Sequence, residues 1–155
     1  MPESYLKACY GGKYMIEKPL KTFLSSQIPT CIWSVNNFTA PDNTATVYSE
    51  GGMQPSKYED VMQYPQYQIY IRNRDYDKAK GIAQKVHDLL YEKSNFVVGV
   101  TETNHDGTTY EVEYTVYFIH ALSPPIRIGI NDDVMEYSVN IQCELRRSLK
   151  NKTNN

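Results

Sequence analysis

The chain has 155 residues, of which 41% are hydrophobic and 22% are charged, and a formal net charge of −2 at pH 7. This length predicts one domain with its own core, and the charge excludes a strongly basic nucleic-acid-binding protein and a polybasic membrane patch. No apolar run reaches the length of a membrane span, and the first residues lack the apolar core of a signal peptide, so we expect folding in a cytosol. Three widely spaced cysteines, Cys9, Cys31 and Cys143, do not form the pattern of a disulfide framework.

The first third of the chain predicts an arm, a short helix and two short strands. Residues 1–15 have no regular period and are interpreted as an N-terminal arm. Pro19 suits the first turn of a helix and Pro29 ends it, with an apolar stripe formed by Leu20, Phe23 and Leu24. The two strands are predicted at residues 31–35 and 44–49.

Residues 50–65 predict a long loop, because they contain two glycines, two prolines and mixed polarity. A loop of this length in a compact domain is usually functional or disordered. Within it, Tyr58, Val61 and Met62 fit a single helical turn.

Residues 66–90 predict a strand that runs directly into an amphipathic helix. Tyr67, Ile69 and Ile71 alternate with polar neighbours, as in a strand with one buried face. Asp75 suits the N-cap of a helix at residues 76–90, whose apolar residues recur every three and four positions. A charged hinge, residues 72–75, joins the two elements.

The second half of the chain predicts a hairpin and a final strand. Residues 96–103 and 109–120 form the arms of the hairpin around an Asn-His-Asp-Gly turn. On the second arm one face carries the apolar series Tyr110, Val112, Tyr114, Val116 and Phe118, and the other carries Glu111 and Glu113. A Pro-Pro pair ends this arm, and a last strand alternates over residues 137–145.

Together these elements predict an α+β fold in a single domain. We expect a mostly antiparallel sheet of about five or six strands, with two helices packed on one face. The domain is predicted to extend over residues 16–147 and to be followed by a polar tail at residues 148–155.

No motif in the sequence assigns a catalytic, cofactor-binding or metal-binding residue. The three histidines have no metal-ligand spacing, and there is no phosphate-binding loop and no nucleophile elbow. Glu111 and Glu113 fit a solvated strand face or, alternatively, an acid–base pair. A nucleophile pair of Cys143 and His120 is a further alternative. A small hydrolase or ligand-binding domain built on these groups requires a deep pocket.

The order of the pieces resembles a known family. Residues 64–76 read YPQYQIYIRNRDY, the next helix ends in Asp-Leu-Leu, and a hairpin, a Pro-Pro pair and a final strand follow. This order, over about residues 60–147, resembles the minor capsid and tail terminator proteins of tailed bacteriophages. The chain departs from the family pattern at Ile130, where the turn of the family carries an arginine, and Arg127 lies out of register with that position.

The resemblance implies a structural virion protein of the tail or neck, assembled in the host cytoplasm, and not an enzyme. It implies a homo-oligomeric ring of six copies that needs no cofactor, caps the tail tube and contacts the head connector, while DNA passes through the lumen without specific binding. A head-completion or connector protein of the neck is the alternative. The hinge charges suit inter-subunit ion pairs, or only a solvated turn and helix cap. The candidate subunit-interface residues are Arg72, Arg74, Asp75, Tyr58, Tyr70, Glu111 and Glu113.

Overall fold

The computed structural model describes residues 16–53, 62–91 and 93–149. The described residues form two helices and eight strands, and neither helix is long and apolar enough to cross a membrane. The predicted arm at residues 1–15 with Cys9, residues 54–61 of the predicted loop with Tyr58 and Val61, and residues 150–155 lie outside the described residues. In chain order the elements are α1 (Glu17–Gln27), β1 (Ile32–Val35), β2 (Thr44–Ser49), β3 (Met62–Gln63), β4 (Gln66–Asn73), α2 (Tyr76–Leu90), β5 (Ser94–Thr103), β6 (Thr109–Ala121), β7 (Ile126–Asn131) and β8 (Val134–Leu149).

The strands form one curled sheet in which the 16-residue strand β8 is central. The main path of the sheet is β1-β2-β4-β8-β6-β5, and β3 and β7 also pair with β8. Every pairing is antiparallel except that of β1 with β2. The registers place β4 and β3 along one side of β8, and β7 and β6 end to end along its other side.

The core lies on the inner face of this sheet. Alternate residues of β4 and β8, such as Ile69 and its partner Val139, are fully buried, as period-two alternation requires. Both helices contribute to the same buried cluster, with Leu20 and Leu24 from α1 and Ala83, Val86 and Leu90 from α2. Burial of each large aliphatic side chain contributes roughly 1.5–3 kcal/mol, so this cluster dominates the stability of the fold.

The predicted strand–helix unit is confirmed. Strand β4 ends at Asn73, and α2 begins three residues later. Asp75 is the N-cap, since its Oδ1 accepts a hydrogen bond from the Lys78 backbone amide at 3.1 Å. The Asn73 side chain in turn accepts a bond from the Asp75 amide at 2.9 Å. Two short side chains therefore fix the angle at which the helix leaves the sheet.

The α+β class and the mostly antiparallel sheet are confirmed, but the described residues contain more strands than the predicted five or six. Strand β7 was not expected, and Met62, expected in a helical turn, instead pairs with Arg146 in the short strand β3. Pairing with a distant strand overrides the local pattern here. The packing of both helices on one face and the domain limits remain predictions.

The prediction that Phe118 continues the apolar face of β6 is wrong. The β6–β8 register shifts between Val116 and Phe118, which is the signature of a β-bulge. The extra residue reverses the alternation. Phe118 is therefore exposed, and Ile119 takes the buried position that Phe118 was expected to fill.

Candidate functional site

Arg72, the first hinge residue, forms an ion pair with Glu136 of its own chain. Residues 72 and 136 are direct partners across β4 and β8. The Arg72 Nε donates to Glu136 Oε1 at 3.2 Å, and both side chains are only 10% exposed. The guanidinium also lies over the Phe38 ring, 4.6 Å from its centroid. This arginine joins two strands of its own chain.

Tyr70 completes the same cluster. Its hydroxyl donates to the second carboxylate oxygen of Glu136. Burial, followed by the hydrogen bond to the carboxylate, raises the pKa of Tyr70 to about 12. The phenol therefore stays neutral and remains a donor at physiological pH.

Arg74 faces outward, in contrast to Arg72. Its side chain is 65% exposed, and its Nε lies 4.0 Å from Asp42 Oδ2. The Arg74 backbone amide donates to Asp42 Oδ1 at 2.8 Å, so the hinge backbone is held independently of the guanidinium. Of the two hinge arginines, Arg74 is the one whose guanidinium is open to solvent.

The two candidate carboxylates of β6 lie on the outer side of the β5–β6 hairpin. Glu111 is exposed and accepts a hydrogen bond from Thr101 Oγ1 at 2.5 Å. Glu113 is partly buried and lies opposite Gly99. An exposed Glu111 on an open strand face does not provide the deep pocket that a hydrolase built on this pair requires.

Cys143 and His120 do not form a nucleophile pair. Cys143 lies on the inner face of β8, where burial raises the pKa of its thiol to about 12. His120 lies opposite Gln142 on the outer face and is 3.6 Å from Glu144 Oε2. The sheet itself separates the thiol from the imidazole. Among the described residues, no group of three or more potential ligands could hold a metal ion.

An open cleft of about 430 Å³ lies on the outer face of the sheet. The Arg72, Tyr70 and Glu136 cluster forms its floor, and Arg72 Nη1 is buried without a hydrogen-bond partner. The cleft is also lined by Phe38, Tyr48, Ser49, Glu50, Gln68 and Asn131. Because Glu136 already neutralises Arg72, the cleft does not present a free positive charge to an anion.

A second polar cluster, which the sequence analysis missed, lies between β5, β6 and β8. Glu102 accepts hydrogen bonds from the Tyr114 hydroxyl, from the Tyr110 hydroxyl at 2.6 Å and from Arg147 Nη2 at 3.2 Å. Burial, then the hydrogen bond to Glu102, raises the pKa of Tyr114 well above its usual range. Glu102 and Arg147 occupy the next inward-facing positions of β5 and β8. This alternation along the strands could have identified them from the sequence.

Strand β7 is the second feature that the sequence analysis missed. Among the described residues it pairs with β8 alone. Ile126, Ile128 and Ile130 are 46%, 48% and 49% exposed. This edge strand therefore presents apolar side chains that no described element covers.

Comparison with known proteins gives one family. A family model described as "Bacteriophage tail terminator protein" matches residues 38–147, more than two thirds of the chain. The matched region runs from before β2 almost to the end of β8 and includes the hinge, both polar clusters and the edge strand. No curated relative matches the sequence.

Proposed function

The chain belongs to the bacteriophage tail terminator family, and from that premise we propose that it caps the tail tube as a ring of six copies. The same ring joins the tube to the head connector. The family match carries this proposal, because it covers most of the folded chain and describes a structural component of the phage tail.

The geometry of the chain supports a role in assembly. The charged and phenolic groups in its two polar clusters are held by partners within the sheet, whereas Arg74 and strand β7 are open to solvent. A ring of identical copies needs two different surfaces on each copy, so that head-to-tail contacts close by rotation. Exposed edges and loops are suitable surfaces for such contacts.

The charge of the chain supports passage of DNA through the ring without tight binding. Nonspecific affinity for DNA comes mainly from lysine and arginine side chains that displace counterions from phosphates. The net charge is −2, and residues 94–121 of the β5–β6 hairpin contain no lysine or arginine. A ring built from chains without an excess of cations would not hold the DNA.

The test is assembly on tail tubes. Tubes prepared without this protein are mixed with the purified chain, and the product is imaged and its mass measured. We expect six copies at one end of each tube, no further growth of capped tubes and binding of connector proteins to the capped end. Binding along the tube wall, or a single copy at the tube end, would contradict the proposal. Incorporation into completed heads, without any tube, would instead favour the head-completion alternative.

A further inference from the structure

The apolar side chains of strand β7 are exposed to solvent rather than buried in the core. Five of its six residues are exposed and Gly129 is only partly buried, so both faces of the strand are open to solvent. The register of β7 on β8 shifts between Arg127 and Gly129, so Ile126, opposite Ser138, and Ile130, opposite Met135, lie on opposite faces of the sheet. Arg127 lies on the same face as Ile130. Long apolar edge strands are usually protected, because an open edge recruits other chains. We call Ile126, Arg127, Ile128 and Ile130 the β7 edge.

Two further apolar side chains that precede β7 in the chain are exposed. Leu122 and Phe118 are each 47% exposed, and they precede β7 along the same side of β8. Exposed apolar side chains grouped on one strand, as the three isoleucines of β7 are, mark an interaction site more than isolated ones do. Arg127 is the single charged residue within β7, so a matching surface would combine apolar area with a carboxylate.

The outer side of the β5–β6 hairpin provides such a surface. Val97 is 61% exposed there, and Thr101 and Glu111 lie on the same face. Gly99 lies between them, and a Cβ added at Gly99 would meet no atom within 4 Å, so another chain can approach closely. The hairpin, residues 94–121, carries four carboxylates and no lysine or arginine. We call Val97, Gly99, Thr101 and Glu111 the hairpin face.

These two surfaces lie near opposite ends of the long central strand. Arg127 is opposite Tyr137, whereas Glu113, in the middle of the outer side of β6, is opposite Ser148. These β8 positions are eleven residues apart, which at about 3.3 Å per residue corresponds to roughly 36 Å along the strand. One copy can therefore use both surfaces at once with two different neighbours. That is the arrangement of a heterologous ring contact.

We propose that the β7 edge of one copy docks on the hairpin face of the next copy, with Arg127 facing Glu111. Ile130, which lies on the same face as Arg127, covers Val97 and the open backbone at Gly99, and the opposite charges set the register. This inference rests on the proposed ring, but it can fail separately, since a ring could close through other surfaces such as the hinge.

A charge-swap experiment on the tube-capping assay tests the contact. Arg127→Glu and Glu111→Arg are each expected to lower ring formation at tube ends at least tenfold, because each places like charges together. The double variant is expected to return to within about threefold of the wild type, because the pair is restored in reverse. Lys85→Glu, at an exposed position on α2, is the control for a charge reversal elsewhere.

A second variant tests the apolar part of the contact. Ile130→Thr keeps a β-branched side chain and strand preference but removes apolar area on the face that carries Arg127, and we expect weaker ring formation with an unchanged thermal unfolding temperature. Normal rings from all three charge variants, or a double variant as defective as either single variant, would overturn the proposal. Normal rings that no longer bind tubes would also overturn it, since the β7 edge would then contact the tube protein.

Discussion

The buried pair of Arg72 and Glu136 predicts a large loss of stability when one charge is removed. In Glu136→Gln the side chain keeps its size and one acceptor oxygen, but the Arg72 guanidinium loses its counter-charge. That guanidinium is only 10% exposed, and its Nη1 is buried without a hydrogen-bond partner, so the lost carboxylate leaves a largely buried charge. Breaking a buried pair costs about 3–5 kcal/mol, and the retained acceptor favours the lower end. For a chain of this size, 3 kcal/mol corresponds to a fall in Tm of roughly 6–12 °C.

The assay is urea unfolding followed by circular dichroism, for Glu136→Gln, Arg72→Met and the double variant. We expect the double variant to be at least ~1.5 kcal/mol more stable than the sum of the single effects predicts, because no unpaired charge remains. Arg74→Gln is the matched control: its ion pair with Asp42 is exposed, and its removal is expected to cost at most ~0.5 kcal/mol. A loss below ~0.5 kcal/mol for Glu136→Gln, or strictly additive effects, would refute the reasoning.

Three further predictions concern the hinge, a buried acid and a tight loop. Arg74→Glu is expected to reduce ring formation on tubes while Tm stays within about 2 °C, whereas the control Lys85→Glu leaves both unchanged. Glu17 is buried, and burial raises the pKa of its carboxyl above the usual 4.5. The protonated carboxyl is the form that favours folding, so its contribution to stability is fully present below pH 4.5 and is lost as the pH rises through the raised pKa. Glu17→Gln should unfold at a higher temperature than the wild type at pH 7 and lose that advantage below pH 4.5. Gly52→Ala should destabilise by at least ~1 kcal/mol in urea unfolding, because Gly52 has φ +114° and a Cβ would collide with the Tyr64 carbonyl.

Each of these three predictions would be contradicted by a different result. Unimpaired rings from Arg74→Glu would leave Arg74 as part of a solvated turn. A stability difference between Glu17→Gln and the wild type that does not change with pH would mean that ionisation of Glu17 is not what destabilises the fold. A Gly52→Ala variant as stable as the wild type would show that the loop at residue 52 can rearrange without cost.

Local patterns in the sequence were sufficient to predict the elements that bury one face. The period of two in β4, the helical period of α2 and the Asp75 cap each depend on residues within a few positions, so their bounds were predicted closely. The outward direction of Glu111 followed from the same alternation. These features depend on local geometry and on a single buried side.

The remaining features depend on pairing between distant residues. Arg72 was identified from its charge, but its partner Glu136 is 64 residues away, and no local pattern specifies that register. The bulge before Phe118 arises from the match between β6 and β8. Strand β7 was missed although Ile126, Ile128 and Ile130 recur with the period of two that is typical of a strand. Its pairing with β8 and the register shift between Arg127 and Gly129 depend on a distant strand and not on the local pattern.

The most direct test of the proposed function is imaging of intact tails that carry this protein with a site-specific label. We predict label only at the head-proximal end of the tube, in a single ring of six copies between the tube and the connector. Label along the tube, at the distal tip or inside the head would contradict the assignment as the terminator of the tail tube.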